Sequence, residues 1–338
     1  MEATDTFSLD VAKTSFLSLL SSTDPSEVGN FMDWVIKHCS SVNSDDGTKD
    51  SANQCDETLL MPGDKRMKKI IKDIKKRIPL DGIMSSENIY HPEGKNSDCD
   101  PSTTVHVDSF LYSDEDIDRL CDEGKMSRTY CKECGSHNTA PLTFISHSMS
   151  LLQLRFLFES ALPSLLSNLN NKCLVDVGSR LGALLFFFSQ AYYFSAIEKI
   201  IGVEINADLC GLQQQIIENY SMADRVEVKC ADVCNELTLL KEADIIVLNN
   251  VFEFFMPVEE QIRTWKILRE NVTKPGCIIV TVPSLEEATL FNSKPCVDLD
   301  EWVQPCSVNY MYHVQDVSCC DEDMEELQNM FFYQVKVN

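Results

Sequence analysis

The sequence predicts an α/β fold: a doubly wound parallel sheet with a mostly helical, loop-rich N-terminal region. Three observations predict it. Five short apolar runs recur between Cys173 and Pro283, separated by longer helical stretches. That is the rhythm of strands buried on both faces and joined by crossover helices. The polar residues gather where the runs end, and the carboxyl ends of parallel strands are where such sheets bind ligands. The first run passes at once into a glycine-bearing turn and then a long apolar segment, Leu181 to Ile197, which reads as strand, tight turn, helix.

The elements follow in order. The first run is Cys173-Leu-Val-Asp-Val-Gly-Ser-Arg-Leu-Gly182. Gly178 is free to take φ > 0 in the turn, and Gly182 lets the helix start lie close to the strand or a ligand. The second, Lys199 to Glu204, ends in an acid 28 positions after Asp176, where a carboxylate accepts hydrogen bonds from ribose hydroxyls. The third, Val226 to Asp232, ends in a carboxylate, and the fourth, Ala243 to Asn250, in two amides. Pro275 to Pro283 is a fifth strand after a Pro-Gly turn. Ser284 to Leu290 suits a helix. Val308 to Val314 and Phe331 to Val337 read as strands, with acidic residues 321–326 between them.

Taken together, Asp176-x-Gly178, Glu204, Asp232, Asn249-Asn250 and Pro275-Gly276 resemble the core of class I S-adenosylmethionine-dependent methyltransferases, over roughly Leu151 to Asn338. The turn from Asp176 to Gly182 and the Asn249-Asn250 pair look most like the Dot1-type lysine methyltransferases. The resemblance implies a Rossmann-like seven-stranded sheet, with Val308 to Val314 and Phe331 to Val337 paired antiparallel at one edge. It implies S-adenosyl-L-methionine as cofactor, held by Asp176, Gly178, Ser179, Gly182, Glu204, Asp232 and Asn249. Glu204 would hold the ribose, and Asp232 the adenine amino group. It makes Asn249 the catalytic residue, accepting from the acceptor amine, and it places Asn250, Phe252 and Phe254 along the substrate. Asn249-Asn-Val-Phe252 lacks the two prolines of members that methylate bases or glutamine, so that motif does not support such a target. One departure stands out: Arg180 occupies the middle of the turn, where the family has glycine. Two readings are open. The cation crowds the methionine end of the cofactor, or it points away and leaves the turn intact.

Composition bounds the rest. The chain has 338 residues, is 44% hydrophobic, and carries 53 acids against 29 Lys and Arg, a formal net charge of -24. That is enough chain for a large core and two parts. Such a charge repels a nucleic-acid backbone except at a local basic cluster, and it attracts cationic partners such as basic proteins. The 15 cysteines are scattered and form no small-scaffold framework, consistent with reduced thiols. Met1-Glu-Ala-Thr-Asp-Thr lacks the basic start of a signal peptide, and no apolar stretch is long enough for a membrane span. The expectation is a soluble protein of the cytoplasm or nucleus, with no membrane contact and an oligomeric state the sequence leaves open.

The N-terminal organisation is read as follows. Residues 1–39 form a helical module, with Val11, Phe16, Leu19 and Leu20 as an apolar stripe and Thr23-Asp-Pro-Ser-Glu as a cap. Residues 40–110 form a linker holding one basic helix, 65–77, whose Met67, Ile70, Ile71 and Ile74 make an apolar face. The basic run is either an electrostatic contact for nucleic acid or a solvated face. Residues 111–150 include Cys131-Lys-Glu-Cys134-Gly, one knuckle of a zinc ribbon in form, without a second Cys-x-x-Cys to complete four ligands. Zinc at Cys131 and Cys134, with Cys99, Cys121, His137 and His147 as further candidates, competes with ordinary reduced thiols. Ser146, His147 and Ser148 line the site or merely precede a helix capped by Ser148 or Ser150. Residues 151–338 form the methyltransferase-like domain.

Three functions compete on this reading: a methyltransferase acting on a protein, with lysine as the candidate acceptor; one acting on RNA or a small molecule; and a catalytically inactive domain of the same fold serving as a binding module.

Overall fold

Met67, Ile70, Ile71 and Ile74 recur at helical spacing, and in the computed structural model they are buried on one face of α1, Pro62–Ile74. The basic helix thus starts and stops three residues earlier than its charge run. The structure describes residues 16, 19, 62–91, 99–132, 138–191, 197–311 and 321–337. Two compact units are present, Met1–Lys65 and Arg66–Asn338. The helical module expected at 1–39 lies outside the described residues except for Phe16 and Leu19, both helical.

In the second unit the chain ahead of the sheet is built into its core. Phe110 and Leu111 are buried, as are Ile117 and Leu120 of α2, Asp114–Asp122. Ser113 caps α2 by accepting from the Asp116 N–H, and three acids in its first turn favour the positive end of the helix dipole. Segments 66–110 and 111–150 therefore belong to the unit that carries the sheet. Thr104–His106 pairs parallel with Thr143–Ile145, tying the two segments together. Ser150 then makes a capping box with Gln153, and the helical stretch from Leu151 passes through a π-helical turn, Leu157–Ala161, before Pro163.

The sheet has seven strands. They are β1 Cys173–Val177, β2 Lys199–Glu204, β3 Val226–Cys230, β4 Ile245–Asn249, β5 Ile278–Val282, β6 Val303–Pro305 and β7 Phe331–Val335. Helices α3 Ala183–Ala191, α4 Ala207–Asn219 and α5 Val258–Asn271 connect them. The order across the sheet is β6-β7-β5-β4-β1-β2-β3. All neighbours are parallel except β7, which runs antiparallel to both β5 and β6. This is the doubly wound seven-stranded arrangement the sequence predicts. Apolar residues of β1, β4 and β5 divide between two cores: Leu174, Ile245 and Ile278 face one, and Val175, Ile246 and Ile279 the other.

The edge strand differs from expectation. It is Val303–Pro305, not Val308 to Val314. Tyr310 leaves the edge to stack on Phe156 at 5.3 Å and to donate to the Met330 carbonyl at 2.7 Å. Meanwhile Trp302, 2% exposed, anchors β6 through its indole N–H to the Val272 carbonyl at 2.8 Å. Residues 312–314 lie outside the described residues. Among the described residues no helix is long and apolar enough to cross a membrane.

Candidate functional site

The turn after β1 is held open by its backbone. Gly178 has φ 69°, and a Cβ there would meet Val251 Cγ2 at 2.3 Å. The positive φ and the crowding together admit only glycine. Gly178 N–H donates to the Val203 carbonyl at 2.8 Å, which keeps the tips of β1 and β2 together. Ser179 turns away from the strand tips and donates from Oγ to Gln213 Oε1 at 2.9 Å. It sits against Gly202, where a Cβ would come within 2.7 Å of its Oγ. Gly182, at φ 78°, takes the Phe186 ring where a Cβ would stand.

Above this turn a cavity of about 340 Å³ lies over the carboxyl ends of β1 to β4. Glu204 reaches it from β2, and its carboxylate also staples the turn. Oε2 accepts from the Arg180 N–H at 2.9 Å and Oε1 from the Asn206 N–H at 2.8 Å. Burial pushes its pKa upward, against these two hydrogen bonds. Asp232, after β3, accepts from the Cys234 N–H at 2.8 Å and caps a short 3-10 turn. Asn249 ends β4 and donates from Nδ2 to the His147 carbonyl at 3.3 Å. The facing wall comes from the chain ahead of the sheet: Ser86, Glu87 and Asn88.

Arg180, the departure noted in the sequence, lines both the large cavity and a smaller space beside it. Its backbone is left-handed, φ 47°, the conformation glycine would take there. Its guanidinium, 7% exposed, is committed to acceptors ahead of the sheet. Nε donates to Glu87 Oε1 at 2.9 Å, Nη1 to Asp108 Oδ2 at 3.2 Å, and Nη2 to the Gly82 carbonyl at 2.7 Å. Asp108 also accepts from Ser148 Oγ at 2.6 Å. Burial raises the Asp108 pKa while the Arg180 charge opposes the rise. The turn stays intact, and the arginine binds the N-terminal segment to it.

Beside the large cavity, and sharing Gly178, Arg180, His147 and Asn249 with it, is a chamber of about 20 Å³. Asp176 lines it from β1. It is 6% exposed, and no hydrogen bond reaches its carboxylate among the described residues. Burial, then the neighbouring Glu204 charge, pushes its pKa up to about 8. His147 faces both spaces. Its Nε2 lies 2.8 Å from His106 Nδ1, and its ring stacks on His106 and meets Phe254 and Phe255 edge-on.

The structure thus brings Gly178, Glu204, Asp232, Asn249, Asn250 and Phe252 together around the large cavity. Asp176 and Ser179 line the small chamber, again with Asn249. Gly182 and Phe254 line neither; Phe254 supports the two histidines from behind. Ser150 is the helix cap, and Ser148 instead holds Asp108. Sequence reasoning missed Glu87 and its neighbours, His106 and Asn206, whereas Phe255, which the sequence groups with Phe252 and Phe254 as an apolar wall, does line the cavity. Only Asn206 carried a signal, as an N-cap after a strand, which it is. For zinc, Cys131 is exposed at the end of a short strand, and Cys134 and His137 lie outside the described residues. The Cys99 carbonyl, rather than a ligand set, faces His91, 3.0 Å from its Nδ1. Among the described residues no three ligands gather for a metal, so zinc is not supported.

No family model matches the sequence, and no curated protein matches it. Solved structures do resemble the fold. A methyltransferase from Geobacter sulfurreducens is 14% identical over 57% of this chain and 83% of its own, with a TM-score of 0.36. An O-methyltransferase from Bacillus cereus in complex with SAH is 12% identical over 57% and 84%, TM-score 0.34. An RNA methyltransferase from Salinibacter ruber in complex with S-adenosyl-L-homocysteine is 21% identical over 38% and 71%, TM-score 0.28.

Proposed function

We propose that the chain is an S-adenosylmethionine-dependent methyltransferase acting on a protein substrate, with a lysine amine as acceptor. The observation that carries this reading is the cavity over the strand tips. Carboxylates stand at the end of one strand and just past the end of the next, Glu204 and Asp232, and its floor is a glycine that tolerates no side chain. Its volume lies within the usual range for small-molecule sites. The donor set suits the cofactor: the acids outnumber the cations, and the ligand carries a sulfonium and an ammonium. When bound, S-adenosylmethionine supplies a methyl group already activated by its positive sulfur.

The chain's own residues do the rest. Glu204 accepts from ribose hydroxyls while keeping its two backbone donors, since a carboxylate has about four acceptor positions. Asp232 accepts from the adenine amino group. Ser86 to Asn88 close one side and limit water. Asn249, its Nδ2 oriented by the His147 carbonyl, presents Oδ1 to the acceptor nitrogen and positions its lone pair. The Asn249-Asn250 pair and the turn's likeness to the Dot1 type support lysine as the acceptor, and the net charge of -24 favours a basic protein as its carrier.

A second reading has its own observation. Lys65, Lys68, Lys69, Lys72 and Lys76 are exposed along or just beyond α1 and make no ion pair among the described residues, a stripe that would suit nucleic-acid phosphates.

The test is calorimetric titration with S-adenosylmethionine, followed by Asn249→Ala. The variant should bind the cofactor nearly as well as the parent yet lose turnover on basic protein substrates, because the lost contact positions the acceptor. Full turnover in a folded Asn249→Ala chain rejects the catalytic assignment. Methylation of RNA but not protein moves the substrate to the second reading.

A further inference from the structure

We propose that Cys210 and Cys230 are an oxidative modification site: a dithiol that a peroxide closes into a disulfide, constricting one end of the large cavity. The bond itself is independent of the methyltransferase reading. Its effect on cofactor binding deepens that reading and rests on it.

The two thiols converge on one backbone oxygen. Glu204 ends β2, and Cys230, the last residue of β3, is its partner across the two strands. The Glu204 carbonyl accepts from the Ala231 N–H at 2.9 Å, which holds the chain just past Cys230 against the tip of β2. The same carbonyl accepts from the Cys210 thiol, whose Sγ lies 3.3 Å away in the first turn of α4. That turn is itself fixed, because the Cys210 N–H donates to the carbonyl of Asn206, the α4 cap, at 3.0 Å. The Cys230 side chain lies within hydrogen-bonding reach of the Cys210 thiol. Both cysteines are free, and they differ in access. Cys230 is exposed on an edge strand of the sheet, whereas Cys210 is 8% exposed.

That difference divides the roles. Burial pushes the Cys210 pKa up to about 12, and the hydrogen bond to Cys230, the Cys230 charge and the Glu204 charge push the same way. Cys210 therefore stays protonated, and since the thiolate is the reactive form, oxidation begins at the exposed Cys230. Its sulfur attacks one oxygen of hydrogen peroxide and breaks the O–O bond, giving a sulfenic acid and water. Once oxidised, Cys230 no longer presents a thiolate to Cys210, which eases the second step. The Cys210 sulfur then attacks the Cys230 sulfur and expels hydroxide, which takes the Cys210 proton and leaves as water. Two thiols are oxidised to one disulfide, and one peroxide is reduced to two waters.

Closing the bond draws the sulfurs from contact to about 2 Å and removes the S–H donor from the Glu204 carbonyl. Leu209 and Ala231, the chain neighbours of the two cysteines, line the large cavity together with Glu204 and Asp232. Pulling the first turn of α4 toward the end of β3 therefore narrows the cavity between these residues, where the ribose and adenine of the cofactor are proposed to lie.

The test uses the full chain, with hydrogen peroxide as the oxidant. Reduced parent, Cys210→Ser and Cys230→Ser are treated alike, quenched, and digested without reductant for mass spectrometry. Each form is also titrated with S-adenosylmethionine by calorimetry. In the parent, a peptide pair linked through Cys210 and Cys230 should dominate, and dithiothreitol should reverse it. The oxidised parent should bind S-adenosylmethionine about tenfold more weakly than the reduced parent, as for the loss of one hydrogen bond to a charged group. Peroxide should leave the affinity of both serine variants unchanged. Cys210→Ser keeps a donor for the Glu204 carbonyl, and Cys230→Ser alters an exposed side chain, so one folded control remains if the buried substitution fails. A parent in which Cys230 goes on to sulfinic acid, or in which other cysteines link instead, overturns the modification site. A Cys210–Cys230 link that leaves affinity unchanged overturns the constriction. If the reduced parent does not bind S-adenosylmethionine, the methyltransferase reading fails, and the mapped link alone decides the dithiol.

Discussion

Asp176→Asn should make the ligand-free protein more stable, and increasingly so as pH rises. Asp176 is buried without a partner, and its pKa moves from 3.8 to about 8. The sign follows from proton linkage. The unfolded chain releases this proton near pH 4, whereas the folded chain keeps it to about pH 8. Between those values the folded state binds more protons, so its stability falls as pH rises. Each tenfold difference in proton affinity between the two states corresponds to about 1.4 kcal/mol, giving an upper bound of roughly 5 kcal/mol by pH 7.5. Local relaxation and water entry reduce that to about 2 to 3 kcal/mol. Asparagine has the same shape and never ionises. Urea denaturation of parent and variant at pH 5, 6.5 and 8, without ligand, measures the difference directly. It should be small at pH 5 and grow to about 2 kcal/mol or more at pH 8. A variant less stable than the parent at pH 8, or a difference that does not change with pH, refutes the idea that an uncompensated carboxylate sits there.

Three further outcomes are expected. Arg180→Ala leaves Glu87 and Asp108 buried without their cation and should cost about 3 to 5 kcal/mol; a loss under about 1 kcal/mol in chemical denaturation would show that these acids find water. Glu204→Ala removes the acceptor of the Arg180 and Asn206 N–H groups as well as a ribose contact, so melting temperature and cofactor affinity should fall together, the latter about tenfold; affinity unchanged by titration places the ligand elsewhere. Gly178→Ala puts a methyl into Val251 at a left-handed position and should abolish cofactor binding or lower stability by about 1 to 3 kcal/mol; a variant that melts and binds like the parent contradicts the close approach described.

The sheet was legible because its strands are short, β-branched and buried on both faces, so their composition is distinct from the helices between them. Glu204, Asp232 and Asn249 were legible for the same reason: each stands where an apolar run stops. The segment ahead of the sheet was not. Gly82, Glu87 and Asp108 lie in polar stretches without periodicity, and their role depends on meeting Arg180 across 72 to 98 positions of chain, which no local pattern encodes. Arg180 could be recognised as unusual but not assigned, since its direction is fixed by those distant acids. The edge strand was misplaced because Tyr310 and its neighbours have strand-like composition but are drawn into aromatic packing with Phe156.

The Arg180 network also bears on how the protein can be divided. A fragment starting at residue 151 would keep all seven strands, yet it would expose a guanidinium whose carboxylate partners had been cut away, together with the apolar surface that α1 and α2 cover. The sheet's first turn and the loop from Gly82 to Glu87 are a single mechanical piece, joined by one side chain. The smallest fragment expected to keep the cavity's shape begins ahead of α1, before Pro62, a few residues upstream of the Lys65–Arg66 boundary, and truncation should be planned from there rather than from the start of the sheet.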